Sequence, residues 1–162
     1  MQVRGLVARG YINAVGRDSE DSRGPLLFSA DAALTAAALL AATDLGLSGK
    51  DQMARLAVVM QGWQNYVPPK GEPKNPAAYM LLEHHRAPAV VRGWSLELHT
   101  SRHVETGNLH HAAAVRDGDN GFMGAGVTIL PENHVPVAAL VIPLDDLLRV
   151  ISAGLRARKG VE

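Results

Sequence analysis

At 162 residues, 47% hydrophobic and 20% charged, the chain can bury a core and lies outside the composition range of disordered segments. Sixteen basic residues balance sixteen acidic ones, which argues against polyanion binding driven by net charge and leaves room only for a local patch. The absence of cysteine excludes disulfides, thiolate chemistry and cysteine-type zinc sites.

In chain order, residues 3–12 predict a short helix carrying Arg4 and Arg9 on its polar side, with Gly10 at its C-terminal end. Residues 13–28 predict a hairpin: Ala14-Val15 and Leu26-Leu27-Phe28 are the strands, and GRDSEDSRGP is the loop. Ser29 is placed as an N-cap, Asp31 sits in the first turn, and an alanine-leucine helix runs to Leu45 before Gly46 ends it. Ser48 with Asp51 resembles a capping box, and Met53, Leu56, Ala57 and Met60 recur at helical spacing as far as Gly62.

The segment VPPKGEPKNP, residues 67–76, has the prolines of a linker or strap, and AAYMLLEHH reads as a short helix. AVVRGWSLELH, residues 89–99, predicts a strand, while HVETGNLHHAAAVR fits either a strand or a helix. GVTIL and VPVAALVI flank PENH as a second hairpin, and PLDDLLRVISAGLRARK predicts a final helix with Pro143 near its first turn. No signal-peptide pattern opens the chain and the apolar run from Ala32 to Ala42 is too short to span a bilayer, so a cytoplasmic location without membrane contact is expected.

The order of these parts resembles the DNA-binding domain of the MerR family of winged helix-turn-helix regulators over residues 3–60. There a recognition helix ends at glycine, a two-stranded wing carries a basic residue, and an aromatic-Ser step starts a helix that closes on a Leu-Gly-Phe-Ser-like turn. Arg4 matches the recognition-helix arginine, Gly10 the helix-ending glycine, and Arg17 the arginine after the first wing strand. Phe28-Ser29 matches the step, and Leu45-Gly46-Leu47-Ser48 the turn. Gly5 and Leu6 stand where the family has aromatic residues, and the loop carries Asp18, Glu20 and Asp21. Either another part of the protein or a second subunit replaces the family's first helix, or the scaffold has lost its DNA role. The resemblance implies double-stranded DNA as partner, with Arg4 addressing a groove and wing arginines holding phosphates. Arg4, Arg9, Arg17 and Arg23 form the expected DNA-binding face.

Seven histidines raise a metal alternative. The adjacent pairs His84-His85 and His110-His111 point their side chains apart, whereas His99 and His103 are four apart and would share a face of a helix, with Glu105 as a further carboxylate. Ser95, Ser101, Asp117, Asp119 and Glu132 could serve acid-base chemistry, yet no Gly-x-Ser-x-Gly elbow is present. GDNGFMGAG lacks the lysine and flanking elements of a nucleotide loop.

The sequence therefore predicts an α+β fold. A truncated winged-helix-like part (1–66: helix, hairpin wing, two helices) would be followed by a proline-rich linker and short helix (67–88). An α+β dimerisation or ligand-sensing part (89–162) would carry a hairpin and the C-terminal helix. The expected function is a sequence-specific transcription regulator, not an enzyme and without a cofactor. The apolar circumference of the Ala30–Leu45 helix favours a homodimer. A protein-interaction module on a degenerate winged-helix scaffold, of mobile-element type, is the first alternative. A metal protein or enzyme built on His99, His103, His110 and His111 is the second.

Overall fold

Two glycines punctuate the N-terminal part. Helix α1 (Val3–Ala8) ends where Gly10 adopts φ +72°, and α2 (Ala30–Asp44) ends where Gly46 adopts φ +93°. Each makes the paired bonds of a Schellman turn. Tyr11 N–H donates to Leu6 O and Gly10 N–H to Val7 O, both at 2.9 Å. Leu47 N–H donates to Ala42 O and Gly46 N–H to Thr43 O, again both at 2.9 Å. Glycine suits both places because a Cβ disfavours the left-handed region. The computed structural model describes residues 2–17, 25–62, 73, 75–118, 121–123 and 128–159.

Between these helices, β1 (Gly16–Arg17) pairs antiparallel with β2 (Leu26–Leu27), and Val15 N–H extends the pairing to Leu27 O at 2.8 Å. The first strand of the hairpin thus starts later than Ala14. Ser29 occupies the N-cap of α2 in extended backbone, but its side chain makes no capping bond. Helix α3 (Lys50–Gln61) begins at Gly49, not Ser48, so the expected capping box does not form. Asp51 instead accepts from Arg55 Nε at 3.0 Å, one helical turn on.

Most of the proline-rich segment lies outside the described residues. Where the description resumes, Asn75 caps α4 (Pro76–Arg86) by accepting from Ala78 N–H at 2.7 Å, with Pro76 pre-set for the first turn. Asn75 Nδ2 also donates to Asp31 Oδ2 at 3.2 Å, which ties the start of α4 to the start of α2.

The second half is a four-stranded antiparallel sheet in the order β5-β4-β3-β6, followed by α5 (Asp145–Lys159). Strand β3 is Trp94–His103, β4 Leu109–Asp117, β5 Phe122–Met123 and β6 His134–Pro143. The segment HVETGNLHHAAAVR resolves into a turn and β4. Gly107 takes φ +73°, and His103 N–H reaches Asn108 O at 2.9 Å, closing the β3–β4 hairpin. The expected hairpin around PENH is corrected: β6 pairs with β3, and residues 128–130 are not a strand. Pro143 closes β6 and α5 starts two residues later with Asp145 and Asp146 in its first turn. The fold is α+β, with an N-terminal helix-hairpin-helices part and a C-terminal antiparallel sheet followed by a helix.

Alternation along the strands gives the sheet two unlike faces. Trp94, Leu96 and Leu98 of β3, Val115 of β4 and Ile142 of β6 belong to one buried cluster with Leu6, Leu34, Leu39, Met53, Leu56, Met60, Met80 and Leu148. Cross-strand register places Leu96 opposite both Val115 and Ile142, so the aliphatic rows coincide and face the helices. Helix α2 touches α1, α3, α4, α5 and β6, which explains its apolar circumference within its own chain. Among the described residues no helix is long and apolar enough to cross a membrane.

Candidate functional site

Two surfaces carry the polar chemistry. The first is the N-terminal helix and hairpin. Leu6 and Ile12 are fully buried, and Tyr11 is held from both ends of its residue: its hydroxyl donates to Lys50 O at 3.2 Å, and its carbonyl accepts from Gln61 Nε2. These contacts fix α1 to α3 and leave Arg4 and Arg9 on the outside. Arg17, on β1, is exposed as well. Residues 2–17 contain no acidic side chain. Arg23 and the acids Asp18, Glu20 and Asp21 fall outside the described residues.

The second surface is the sheet face turned away from the helices, where Ser95, Glu97, His99, Ser101 and His103 succeed one another at a spacing of two. Glu97 is only 5% exposed. Its Oε1 accepts from Arg116 Nε at 2.8 Å and from Ser95 Oγ at 3.0 Å, and its Oε2 meets His99 Nε2 at 2.7 Å. Burial pushes the Glu97 carboxyl up, but the hydrogen bonds from Arg116, His99 and Ser95 and the Arg116 charge outweigh it and hold the group below its ordinary value. An ionised Glu97 accepts the Nε2 proton of His99. The Arg116 guanidinium lies 4.1 Å above the Phe122 ring, and Phe122 meets His99 edge-on at 5.9 Å between centroids.

The four histidines of the metal alternative part company. His99 belongs to the Glu97 network. His111 is on the opposite, helix-side row, with its Nδ1 2.9 Å from Thr100 Oγ1. His103 and His110 share the outer face and gather around His134, at centroid separations of 5.0 Å for His103–His134 and 5.8 Å for His110–His134. At His103, Nδ1 accepts from the amides of Glu105 and Thr106, both at 3.2 Å, which places the ring proton on Nε2 and withdraws that nitrogen from metal binding. His134 directs Nδ1 to Glu132 O at 2.8 Å. Among the described residues no group of three or more His, Asp or Glu is arranged to hold a metal ion.

Sequence reasoning singled out Ser95 and His99 but not Glu97, Arg116, Phe122 or His134. The period-two run of polar residues from Ser95 to His103, interleaved with Trp94, Leu96 and Leu98, was the available signal. Arg116 joins through register, since it lies opposite Ser95 on β4. Comparison with protein-family models, curated proteins and solved structures finds no match to this chain.

Proposed function

We propose that the chain is a DNA-binding regulator of MerR-like winged-helix type, in which α1 and the β1–β2 hairpin meet duplex DNA. One observation carries this reading: Arg4, Arg9 and Arg17 are exposed on two consecutive elements within a stretch free of acids, and α1 is anchored by Leu6 and Tyr11. Anchoring matters because groove recognition needs a rigid element to carry its side chains. Arg4 addresses a groove, while Arg9 and Arg17, with Arg23 beyond the described residues, neutralise phosphates and set position without reading sequence.

Binding of fluorescently labelled genomic duplexes at several salt concentrations tests the reading. Affinity falls with salt with a log–log slope of about −0.9 per phosphate neutralised, Arg17→Ala lowers the slope by about one, and Arg4→Ala weakens binding by about 1–3 kcal/mol and relaxes sequence preference. A flat salt dependence, or an Arg4→Ala chain that binds like the parent, sinks it.

A location in the cytoplasm and a homodimeric state belong to the same proposal. Because α2 is covered by its own chain, the dimer reading rests elsewhere, on β6. This strand borders the sheet and exposes Val135, Val137 and Val141, each about half accessible.

A further inference from the structure

Strand β6 borders the sheet, so one side of its backbone has no partner strand among the described residues. The ladder fixes which residues face that side. Leu144 N–H donates to Trp94 O and Val104 N–H to Asn133 O, both at 2.8 Å, so even-numbered residues of the β3 ladder bond towards β6. Opposite Leu96, Leu98, Thr100 and Arg102 stand Ile142, Leu140, Ala138 and Val135. Backbone direction alternates along an antiparallel strand, so Pro143, Val141 and Ala139 turn their backbone groups outward, as does Pro136 beyond the register shift.

Both prolines of β6 therefore sit at outward positions, where each removes a donor from the open edge and none from the β3 ladder. Between them, Ala139 and Val141 each present an outward N–H and C=O. The edge is open to solvent: Val137, Ala138 and Ala139 are exposed in succession, and Val141 is half exposed. A strand covered on one face would instead alternate. From Val135 to Leu144 the chain carries no charged side chain, the usual protection of an exposed edge.

This edge is complementary to itself. With Ala139 set antiparallel opposite Val141 of a second copy, the two residues exchange both N–H···O bonds, and the two-fold axis repeats the exchange. A shift of two residues either way brings in Pro143, which has no N–H, or Val137, which the register shift leaves without a partner on β3. Leu140 then faces Leu140 of the second copy across the axis. Because the strand is uncharged, two copies meet without repulsion, and a partner of different chemistry finds no charge to select it.

We propose that β6 pairs antiparallel with β6 of a second copy of this chain, Ala139 opposite Val141 and Leu140 on the two-fold axis, joining two four-stranded sheets into one. The inference rests on the dimer reading given above and supplies its register. It is independent of DNA contact, which uses α1 and the hairpin. The pairing consumes the β6 edge of both copies, so association along it ends at two. A bonded stretch this short buries less than the roughly 1,200 Å² of a standard interface, which makes the dimer weak and concentration-dependent.

Sedimentation equilibrium and disulfide cross-linking of the full chain test it, and the absence of native cysteine lets single thiols report the register. Leu140→Cys sets two thiols across a non-hydrogen-bonded pair, about 4.5 Å between Cα atoms, whereas those of Ala138→Cys lie more than about 10 Å apart. In a glutathione redox buffer Leu140→Cys forms a covalent dimer and Ala138→Cys does not, although Ala138 is the more exposed residue. The parent sediments as a monomer–dimer equilibrium. Ala139→Pro, which removes an outward donor, and Ala139→Lys, which keeps the donor and adds a charge, each raise the dissociation constant about tenfold or more. Far-ultraviolet circular dichroism of Ala139→Lys stays that of the parent. Arg4→Ala sediments like the parent, so loss of DNA affinity and loss of pairing are read separately. A parent that stays monomeric, equal cross-linking of the two cysteine variants, or Ala139→Lys as dimeric as the parent would each overturn the proposal.

Discussion

Glu97 and His99, two residues apart on β3, share a 2.7 Å hydrogen bond on the sheet face that the helices do not cover. Glu97 is the more buried of the two, and Arg116 binds its other oxygen at 2.8 Å. A carboxylate is thus kept ionised in a nearly closed position because three donors replace the water it has lost.

Replacing Glu97 by glutamine removes the charge that answers Arg116 and turns one acceptor oxygen of the network into a donor amide. The expected loss is about 2–3 kcal/mol at neutral pH, measured by urea unfolding, since breaking a buried pair strands its partner. The pH dependence has a definite sign. Glu97 titrates below its ordinary value of 4.5 when folded, so its contribution is complete above that value and fades as pH falls through the folded one. The parent chain therefore loses stability on acidification in this window, and Glu97→Gln flattens the loss. An unchanged acid limb in the variant would count against the network.

Gly118 closes the far end of the β3–β4 pair with φ +45°, and a Cβ there would collide with the Arg92 carbonyl oxygen. Gly118→Ala is expected to cost about 2–3 kcal/mol, combining backbone strain with displacement of a neighbouring chain segment. Gly107→Ala provides the comparison, because φ is +73° but nothing lies within 4 Å of its Cβ. That change costs about 1 kcal/mol. Equal thermal shifts for the two variants would show that the Arg92 approach is unimportant.

Asn75 serves as both helix cap and tether. Asn75→Ala loses the Ala78 N–H bond and the link to Asp31, for an expected 1–2 kcal/mol in the unfolding free energy (about 1 from the cap). Asn75→Asp retains the cap and sets two carboxylates together, so it falls between the parent and alanine at neutral pH and approaches the parent in acid. Identical stability for parent and alanine would refute the double role.

If the chain dimerises along β6, Val137→Lys places a charge on the bordering strand and shifts the sedimentation equilibrium towards monomer. Val58→Lys, on the exposed side of α3, leaves it unchanged. A parent chain that sediments as a monomer at every concentration, or a Val137→Lys chain as dimeric as the parent, would remove β6 from consideration.

Helix boundaries were the most legible part of the sequence. Gly10, Gly46 and Gly62 were each read as ends of helices, and each stands just beyond one. The signals are local: a left-handed residue and a few carbonyls within one turn decide the matter at the first two. The Ser48–Asp51 reading failed for a reason of the same scale, because the chain enters α3 one residue later and Asp51 pairs with Arg55. Strand pairing was less accessible. PENH is a plausible turn, but β6 gains more by setting Leu140 and Ile142 beside Leu98 and Leu96, over the helices, than by pairing with the segment before it.

Composition, periodicity and turn residues by themselves determined the α+β class, the helices α1 to α5 in outline, and the absence of thiol chemistry. These follow from short-range preferences that each residue expresses with its near neighbours. The Glu97 network, the separation of His99 and His111 onto opposite faces, and the gathering of His103 and His110 around His134 were decided only by the tertiary structure. Each depends on which strands pair and in what register, and a shift of one residue would exchange the faces of every side chain involved. Register is settled by the summed burial of residues far apart in the chain, so no local pattern contains it.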